Sequence, residues 1–582
     1  MGRGYPAWRM AQPRAGGSPC GMAQPRTGGS PCGTLPVVST RAAGGPATSS
    51  KGRLSPGARR GLAAAAGILT ALAFQPYNLW PLVVVGIALL TVLVRGGTLR
   101  QGFGTGYVFG VAFLALTVGW TYVIAVPVAI LLVVVWALWF AGVGLVTALV
   151  TRLPAWPLWV ATEWVLVEYL YSRVPWGGFG WTRLAFTQAD SPLSGLFPYV
   201  ATTGVSFLVA LLATGLAWAY SAYRTTTGRQ RLRAVAVVSL AYVLAVGGAV
   251  AARAVTHTSQ PTDTITVGMV QGNVDGVGLE AFGRARSVTN NHMSETVTLM
   301  AQARAGLLPV PDFVLWPENS TDIDPILDTE TKQVVSTATK IAGVPILVGA
   351  VTDGPGAYER QTTTLWWDPV TGPGAIYHKR NLVPFGEWIP LRAQLLPLVP
   401  MLKLVGAQSV PGNGPGVLSV DVPQHGTTRI GVLICFELAY DQTVREMIQG
   451  DASTGGGAQL VTVQSNNATY AGTGQISQQW AITRIRAMET QREILVATTN
   501  ALSGYIAPDG TVVYETQQRT PASTSVVMPV RNGLTPAMRF GAGIELALVA
   551  IAVAALAAAA WRSRPAGAKG SAVGQNGTAP SS

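Results

Sequence analysis

Cysteine is scarce in this chain, with three among 582 residues. Cys20 and Cys32 both lie in a Gly/Pro/Ser-rich N-terminal stretch, which leaves Cys435 alone in the remainder. No disulfide framework can therefore staple the folded part. No Cys/His cluster has the spacing of a metal site, so no metal is expected. Charged residues are scarce as well, at 12%, where soluble domains carry roughly 25%. Much of the chain must avoid water. The first 50 or so residues also lack an apolar run of signal-peptide type, so the first membrane helix is expected to act as an uncleaved anchor.

What is abundant is apolar sequence in long blocks. Seven occur before the polar region, at about 61–75, 80–94, 103–120, 122–150, 156–171, 195–221 and 234–252, and an eighth at about 541–561. The net charge of +13 does not require nucleic acid, because the basic residues flank these blocks. Arg59 and Arg60 precede the first, Arg95 and Arg100 follow the second, and Arg152 follows the fourth. Arg224, Arg229, Arg231 and Arg233 separate the sixth from the seventh, and Arg562, Arg564 and Lys569 follow the last. Basic residues on alternate connections are the positive-inside pattern. They place both termini in the cytoplasm and the long polar region outside it.

The expected organisation is a disordered tail over 1–58, containing the repeat MAQPRAGGSPCG/MAQPRTGGSPCG, then a seven-helix membrane domain over 59–255. A polar domain over 256–535, an eighth helix over 536–564 and a second tail over 565–582 complete the chain. Between 260 and 530, short apolar runs such as TITVGMVQGN, DFVLWPEN, PILVGAVT, TTLWWDP, RIGVLICFEL, AQLVTVQSN and EILVATTN read as buried strands. They alternate with helical patterns at about 284–305, 330–341 and 474–492, which predicts a layered α/β domain.

Glu318, Lys379 and Cys435 sit where strand-like runs end, the place where α/β folds gather their sites. Each alone has a plainer reading: a core thiol, a turn carboxylate, a solvated basic pair with Arg380. Together they suit nucleophilic catalysis, because a thiol near its free pKa needs a base and a positive charge to act as thiolate.

In their context, WPEN at 316–319, then Lys379 followed by LVPFGE, then ICFE at 434–437, the chain resembles the apolipoprotein N-acyltransferases of the nitrilase superfamily. The resemblance runs from about residue 60 to 565 and includes VQGN at 270–273. It implies eight transmembrane helices joined to a nitrilase-like αββα sandwich, in the plasma membrane of a bacterium. It implies Glu318 as base, Lys379 as oxyanion-stabilising cation, Cys435 as nucleophile, and Glu387 and Glu437 as supporting acids. The implied partners are a phospholipid acyl donor, a diacylglyceryl apolipoprotein acceptor and the bilayer.

Two departures stand out. The aromatic after the nucleophile is Phe436 where the family usually has tyrosine, and residues 465–472 read SNNATYAG where it tends to read SNDxWFG. That segment is expected near the mouth of the site.

Glu163 and Glu168 fall within an apolar block, where a carboxylate must be paired or face a polar cavity. Arg173 and Arg183 are their expected partners, or partners for a lipid phosphate. Trp176 and Trp181 suit the headgroup interface, and together with Phe436 and Arg183 they are candidate substrate contacts. A water-using amidase and a transporter or scaffold are the competing readings. No internal repeat of the spans supports transport.

Overall fold

The structure is a computed structural model that describes residues 54–274, 286–397 and 400–563. The N-terminal repeat and the tail expected from 565 lie outside the described residues. Helices stand at all eight positions where apolar blocks occur: α1 (Pro56–Leu72), α2 (Pro81–Val94), α3 (Leu99–Thr117), α4 (Val126–Val150), α5 (Trp156–Tyr171), α6 (Phe197–Thr225), α7 (Gly228–Val255) and, near the C-terminus, Pro536–Arg562. The first begins inside the expected tail, because Pro56 is a favourable first helical residue and the Ser55 hydroxyl accepts from Ala58 N. A Thr98/Gln101 capping box starts α3.

Length and composition alone qualify four segments to cross a membrane: Val126–Val150, Pro192–Thr225, Gly228–Val255 and Pro536–Arg562. The others fall short of the expected eight on that measure, since α1, α2 and α5 have only 17, 14 and 16 residues against the roughly 20 a bilayer asks for. α3 and α4 pack closely. A Cβ on Gly106 would sit 2.2 Å from the Phe140 carbonyl oxygen, and one on Gly144 would sit 2.2 Å from that of Gly102, so small residues set the helix separation.

The polar region folds as two facing sheets with helices outside each. In chain order it comprises β1 (Asp263–Gln271), α8 (Ser287–Arg304), β2 (Phe313–Leu315), α9 (Thr329–Ala342), β3 (Ile346–Asp353), β4 (Glu359–Asp368), β5 (Gly372–His378), α10 (Arg392–Leu395), β6 (Gln408–Ser409), β7 (Val417–Val422), β8 (Gly426–Ile434) and α11 (Asp441–Gln449). Then follow β9 (Leu460–Ser465), α12 (Gly474–Thr490), β10 (Ile494–Thr498), β11 (Gly504–Ile506), β12 (Val512–Glu515), β13 (Ala522–Val530) and α13 (Pro536–Arg562). One sheet runs β13-β1-β2-β3-β4-β5 with β6 beside β4, and the other runs β12-β11-β10-β9-β8-β7. β1, β2 and β3 are parallel neighbours, as are β8, β9 and β10.

Each expected strand run contains a strand, and α8, α9 and α12 fall on the expected helical patterns. β5 and β12 escape a search for apolar runs because they are edge strands with mostly exposed or half-buried residues.

Three packing layers hold the domain. Ile265, Val267, Phe313 and Leu347 of the first sheet meet Val420, Val432, Leu460 and Leu495 of the second. Leu299 and Val335 of α8 and α9 cover the first sheet through Val314 and Val348. On the other side, Val444, Met447, Ile482 and Ile485 of α11 and α12 join a core continuous with Phe197 and Val205 of α6. The fourth layer of the sandwich is thus also the floor on which the membrane helices rest.

Candidate active site

Cys435 is the first residue after β8 and opens the turn Cys435–Ala439. Its φ of +52° is a left-handed conformation that L side chains adopt at a cost, and it turns the thiol off the strand line. Glu318 follows β2 by three residues, and Lys379 follows β5 directly. Three strand ends from two sheets therefore deliver three side chains to one place.

Lys379 Nζ donates to Glu318 Oε1 at 2.9 Å and to Glu387 Oε1 at 3.1 Å. Glu318 Oε2 accepts from the Asn466 amide at 2.7 Å. Glu387 is itself held by the Val383 amide at 2.7 Å and the Thr362 hydroxyl at 3.1 Å. Lys379 is 2% exposed and Glu318 4%, so these interactions act with little solvent screening.

Burial raises the Glu318 pKa; Lys379 opposes the rise, and Glu387 adds to it. For Lys379, burial disfavours the charge, but Glu318 and Glu387 outweigh it and hold the ammonium well above its ordinary value. Burial, reinforced by Glu318 and opposed by Lys379, pushes the Cys435 thiol up to about 12. Burial holds the Cys435 thiol protonated, and reaction requires proton transfer to a base.

Glu437 lies on another side of this cluster. Its carboxylate accepts from Ile434 N at 2.8 Å, Arg380 N at 2.7 Å and the Tyr377 hydroxyl at 2.7 Å. It pins the backbone before Cys435 to the backbone after Lys379, which sets the distance between the two.

A cavity of about 350 Å³ opens at the cluster. Glu318, Lys379, Glu387 and Cys435 line it, together with Ile124, Ala125 and Val128 from the start of α4 and the turn before it. Asn466, Thr469 and Tyr470 place the SNNATYAG segment on its wall.

None of the four candidate substrate contacts lines this cavity. Phe436 and Trp181 are buried and stacked on each other, with centroids 5.7 Å apart. Trp181 Nε1 donates to Gln478 at 2.7 Å, so the ring belongs to the packing behind Cys435 rather than to the headgroup interface. Trp176 is exposed.

Arg183 is buried between Glu168, at 3.3 Å, and Asp441, and donates to Thr203 at 2.8 Å. Its charge is spent on carboxylates, leaving none for a lipid phosphate. Arg173 pairs with Glu545 at 2.9 Å, and Glu163 accepts from the Thr147 hydroxyl. With both membrane carboxylates satisfied inside the protein, the feature from which a transport reading starts is accounted for by packing.

Thr362, Asp441 and Arg486 carry no motif signal, whereas Asn466 falls in the SNNATYAG segment without a role that its sequence reveals. Their roles depend on contacts across the fold.

Two facing sheets, flanked by helices, with Glu, Lys and Cys converging at strand ends beside a bundle of apolar helices, define a membrane-embedded enzyme of the carbon–nitrogen hydrolase class. Residues 266–528 match the carbon-nitrogen hydrolase family model, and residues 66–215 match that of the apolipoprotein N-acyltransferase N-terminal domain. The chain is 34% identical over 508 residues to the apolipoprotein N-acyltransferase of Mycolicibacterium smegmatis, covering 84% of this chain and 83% of that one. It is 28% identical over 513 residues to the protein of that name from Coxiella burnetii, covering 82% and 96%. A solved amidase structure from Nesterenkonia sp. aligns over 48% of this chain and 93% of its own at 17% identity, with a TM-score of 0.33. The chain belongs to the apolipoprotein N-acyltransferase family.

Proposed function

We propose that the chain moves a fatty acyl group from a glycerophospholipid, through a thioester on Cys435, to the α-amine of an N-terminal diacylglyceryl-cysteine. Glu318 takes the thiol proton as sulfur attacks the ester carbonyl. The Lys379 ammonium stabilises the oxyanion. Collapse breaks the ester C–O bond, and the proton on Glu318 passes to the departing lysophospholipid oxygen. In the second half-reaction the amine attacks the thioester, Glu318 receives the amine proton, and the Cys435 thiolate leaves and is reprotonated.

The observation that carries this reading is the Lys379 ammonium held between Glu318 and Glu387 in a cavity that also contains Cys435 and the apolar residues Ile124, Ala125 and Val128 at and just before the start of α4. Such a wall offers an acyl chain a path to the thiol and disfavours water as acceptor. Basic residues beside the apolar blocks support an extracytoplasmic site, with both termini in the cytoplasm.

The test is purified enzyme incubated with phospholipid alone. Its mass should rise by one acyl chain, and neutral hydroxylamine should remove it. A diacylated lipopeptide with a free α-amine should then discharge the adduct into triacylated product. Rapid release of free fatty acid without any chase into lipopeptide would assign an amidase instead.

A further inference from the structure

The cavity wall holds two cations, and they differ in one respect. Lys379 is compensated by two carboxylates. Arg360, also on the wall, has no carboxylate partner among the described residues. Its one side-chain hydrogen bond within the described protein runs from Nε to the Ser409 hydroxyl at 3.2 Å, which fixes the plane of the guanidinium and leaves the two Nη groups for a ligand. Several buried or half-buried arginines elsewhere are paired with carboxylates: Arg173 with Glu545, Arg183 and Arg486 with Asp441, Arg380 with Glu446, and Arg531 with Glu493. Arg492 and Arg429 have no carboxylate among the described residues either, but neither lines this cavity.

We propose that Arg360 seats the phosphodiester of the acyl donor, a role that rests on the acyl-transfer reading above. A planar guanidinium with a free edge matches two phosphate oxygens, and a half-buried one does so with less competition from water.

Position along the strand supports the assignment. Arg360 and Thr362 are two residues apart on β4, so their side chains project from the same face about 7 Å apart. Thr362 donates to Glu387, which holds Lys379. The free cation therefore lies one strand repeat from the residues around the catalytic ammonium. In a glycerophospholipid the phosphate is separated from the ester carbonyl by the short glycerol unit, a spacing of the same order. The apolar residues Ile124, Val128, Leu402 and Val405 line the same cavity and provide surface for the chains. One uncompensated cation and an apolar wall suit a ligand with one anionic group and hydrocarbon tails. The acceptor's diacylglyceryl-cysteine end bears no phosphate, so the effect belongs to the first half-reaction.

The experiment compares two donors with identical short acyl chains, phosphatidylethanolamine and the uncharged diacylglycerol. In a Cys435→Ala background, which allows binding without acylation, Arg360→Ala should weaken phosphatidylethanolamine binding by about tenfold or more and leave diacylglycerol binding unchanged. Arg360→Lys should recover part of the loss. With Cys435 intact, Arg360→Gln should raise the KM for acylation by phosphatidylethanolamine while the discharge of preformed thioester by lipopeptide proceeds at the original rate.

Equal weakening for both donors would overturn the proposal in favour of a packing role. Unchanged binding of both would overturn it outright. Arg360-dependent binding of inorganic phosphate with no discrimination between the two donors would assign the site to a free anion. Because binding is read without chemistry, absence of acylation in the enzyme with Cys435 intact would count against the proposed reaction and leave this comparison decisive.

Discussion

Arg486 and Asp441 form a buried ion pair, Nη2 to Oδ1 at 2.7 Å, that ties α12 to the start of α11. Asp441 also receives Arg183 from the loop between α5 and α6, while Arg486 donates through Nε to the Leu438 carbonyl at 2.8 Å. The pair thus links the turn that begins with Cys435 to the membrane helices. Its far end is Glu489, which pairs with Arg486 and accepts from Thr202 N at 2.9 Å, next to the left-handed Ala201 in α6.

Removing the shared carboxylate leaves two guanidinium groups buried without it. Asp441→Ala should therefore cost about 3–5 kcal/mol of stability, read as a large drop in the unfolding temperature in detergent. The Asp441 pKa is held well below the usual carboxylate range, since Arg183 and Arg486 outweigh the effect of burial. A depressed folded pKa contributes stability that is complete above the unfolded value and lost as pH falls through the folded one. Asp441→Ala should accordingly flatten the acid limb of stability against pH.

In the proposed reaction the three side chains at the strand ends act as a unit, so their losses should not add. Cys435→Ala, Glu318→Gln and Lys379→Met should each lower acyl transfer by about a thousandfold or more, and a double variant should be little worse than the poorer single one. Circular dichroism of each should match the unmodified protein. Substantial turnover in a well-folded single variant would remove that residue from the mechanism.

Acylation should depend on pH through Glu318. In the proposed reaction Glu318 must be ionised to accept the thiol proton, and burial raises its pKa, so the rate should fall as pH drops through a midpoint above the ordinary carboxylate value. Because the Cys435 thiol is pushed up to about 12, no second rise from spontaneous thiolate formation should appear near neutrality. Single-turnover formation of the hydroxylamine-labile adduct at a series of pH values measures this directly.

Glu387 and Glu437 should separate by what each loses. Glu387 touches Lys379, so Glu387→Gln should lower the acylation rate with little change in unfolding temperature. Glu437 binds backbone amides on both sides of the site, and Glu437→Ala should cost about 1–3 kcal/mol for each buried donor left unpaired. A Glu437→Ala protein with unchanged stability and lost activity would instead give that carboxylate a direct chemical role.

Sidedness has its own measurement. A membrane-impermeant reagent should label single cysteines placed on exposed positions between about 286 and 530 in cells with a permeabilised outer envelope and an intact plasma membrane. Labelling confined to cells lysed through the plasma membrane would invert the orientation.

What could be read in the sequence is what local patterning encodes. Apolar blocks marked eight helices because a helix seeking an apolar environment shows it residue by residue, and prolines at Pro56, Pro81 and Pro536 mark their first turns. Buried parallel strands such as β9 and β10 read as apolar runs, whereas the edge strand β12, mostly exposed, carried no such signal. WPEN, LVPFGE and ICFE marked the site because each motif is contiguous.

Trp181 and Arg183 show where local reading stops. Seen in the sequence they are an aromatic and a cation in a loop between apolar blocks, a composition that suits a headgroup interface. In the fold Trp181 is stacked on Phe436, and Arg183 is buried against Asp441, 258 positions away along the chain. Whether a cation is free or paired depends on which carboxylate the tertiary structure brings to it. The same physics leaves Arg360 without a carboxylate on the cavity wall, gives Lys379 two, and makes Glu437 a backbone clamp although it lies only two residues from Cys435.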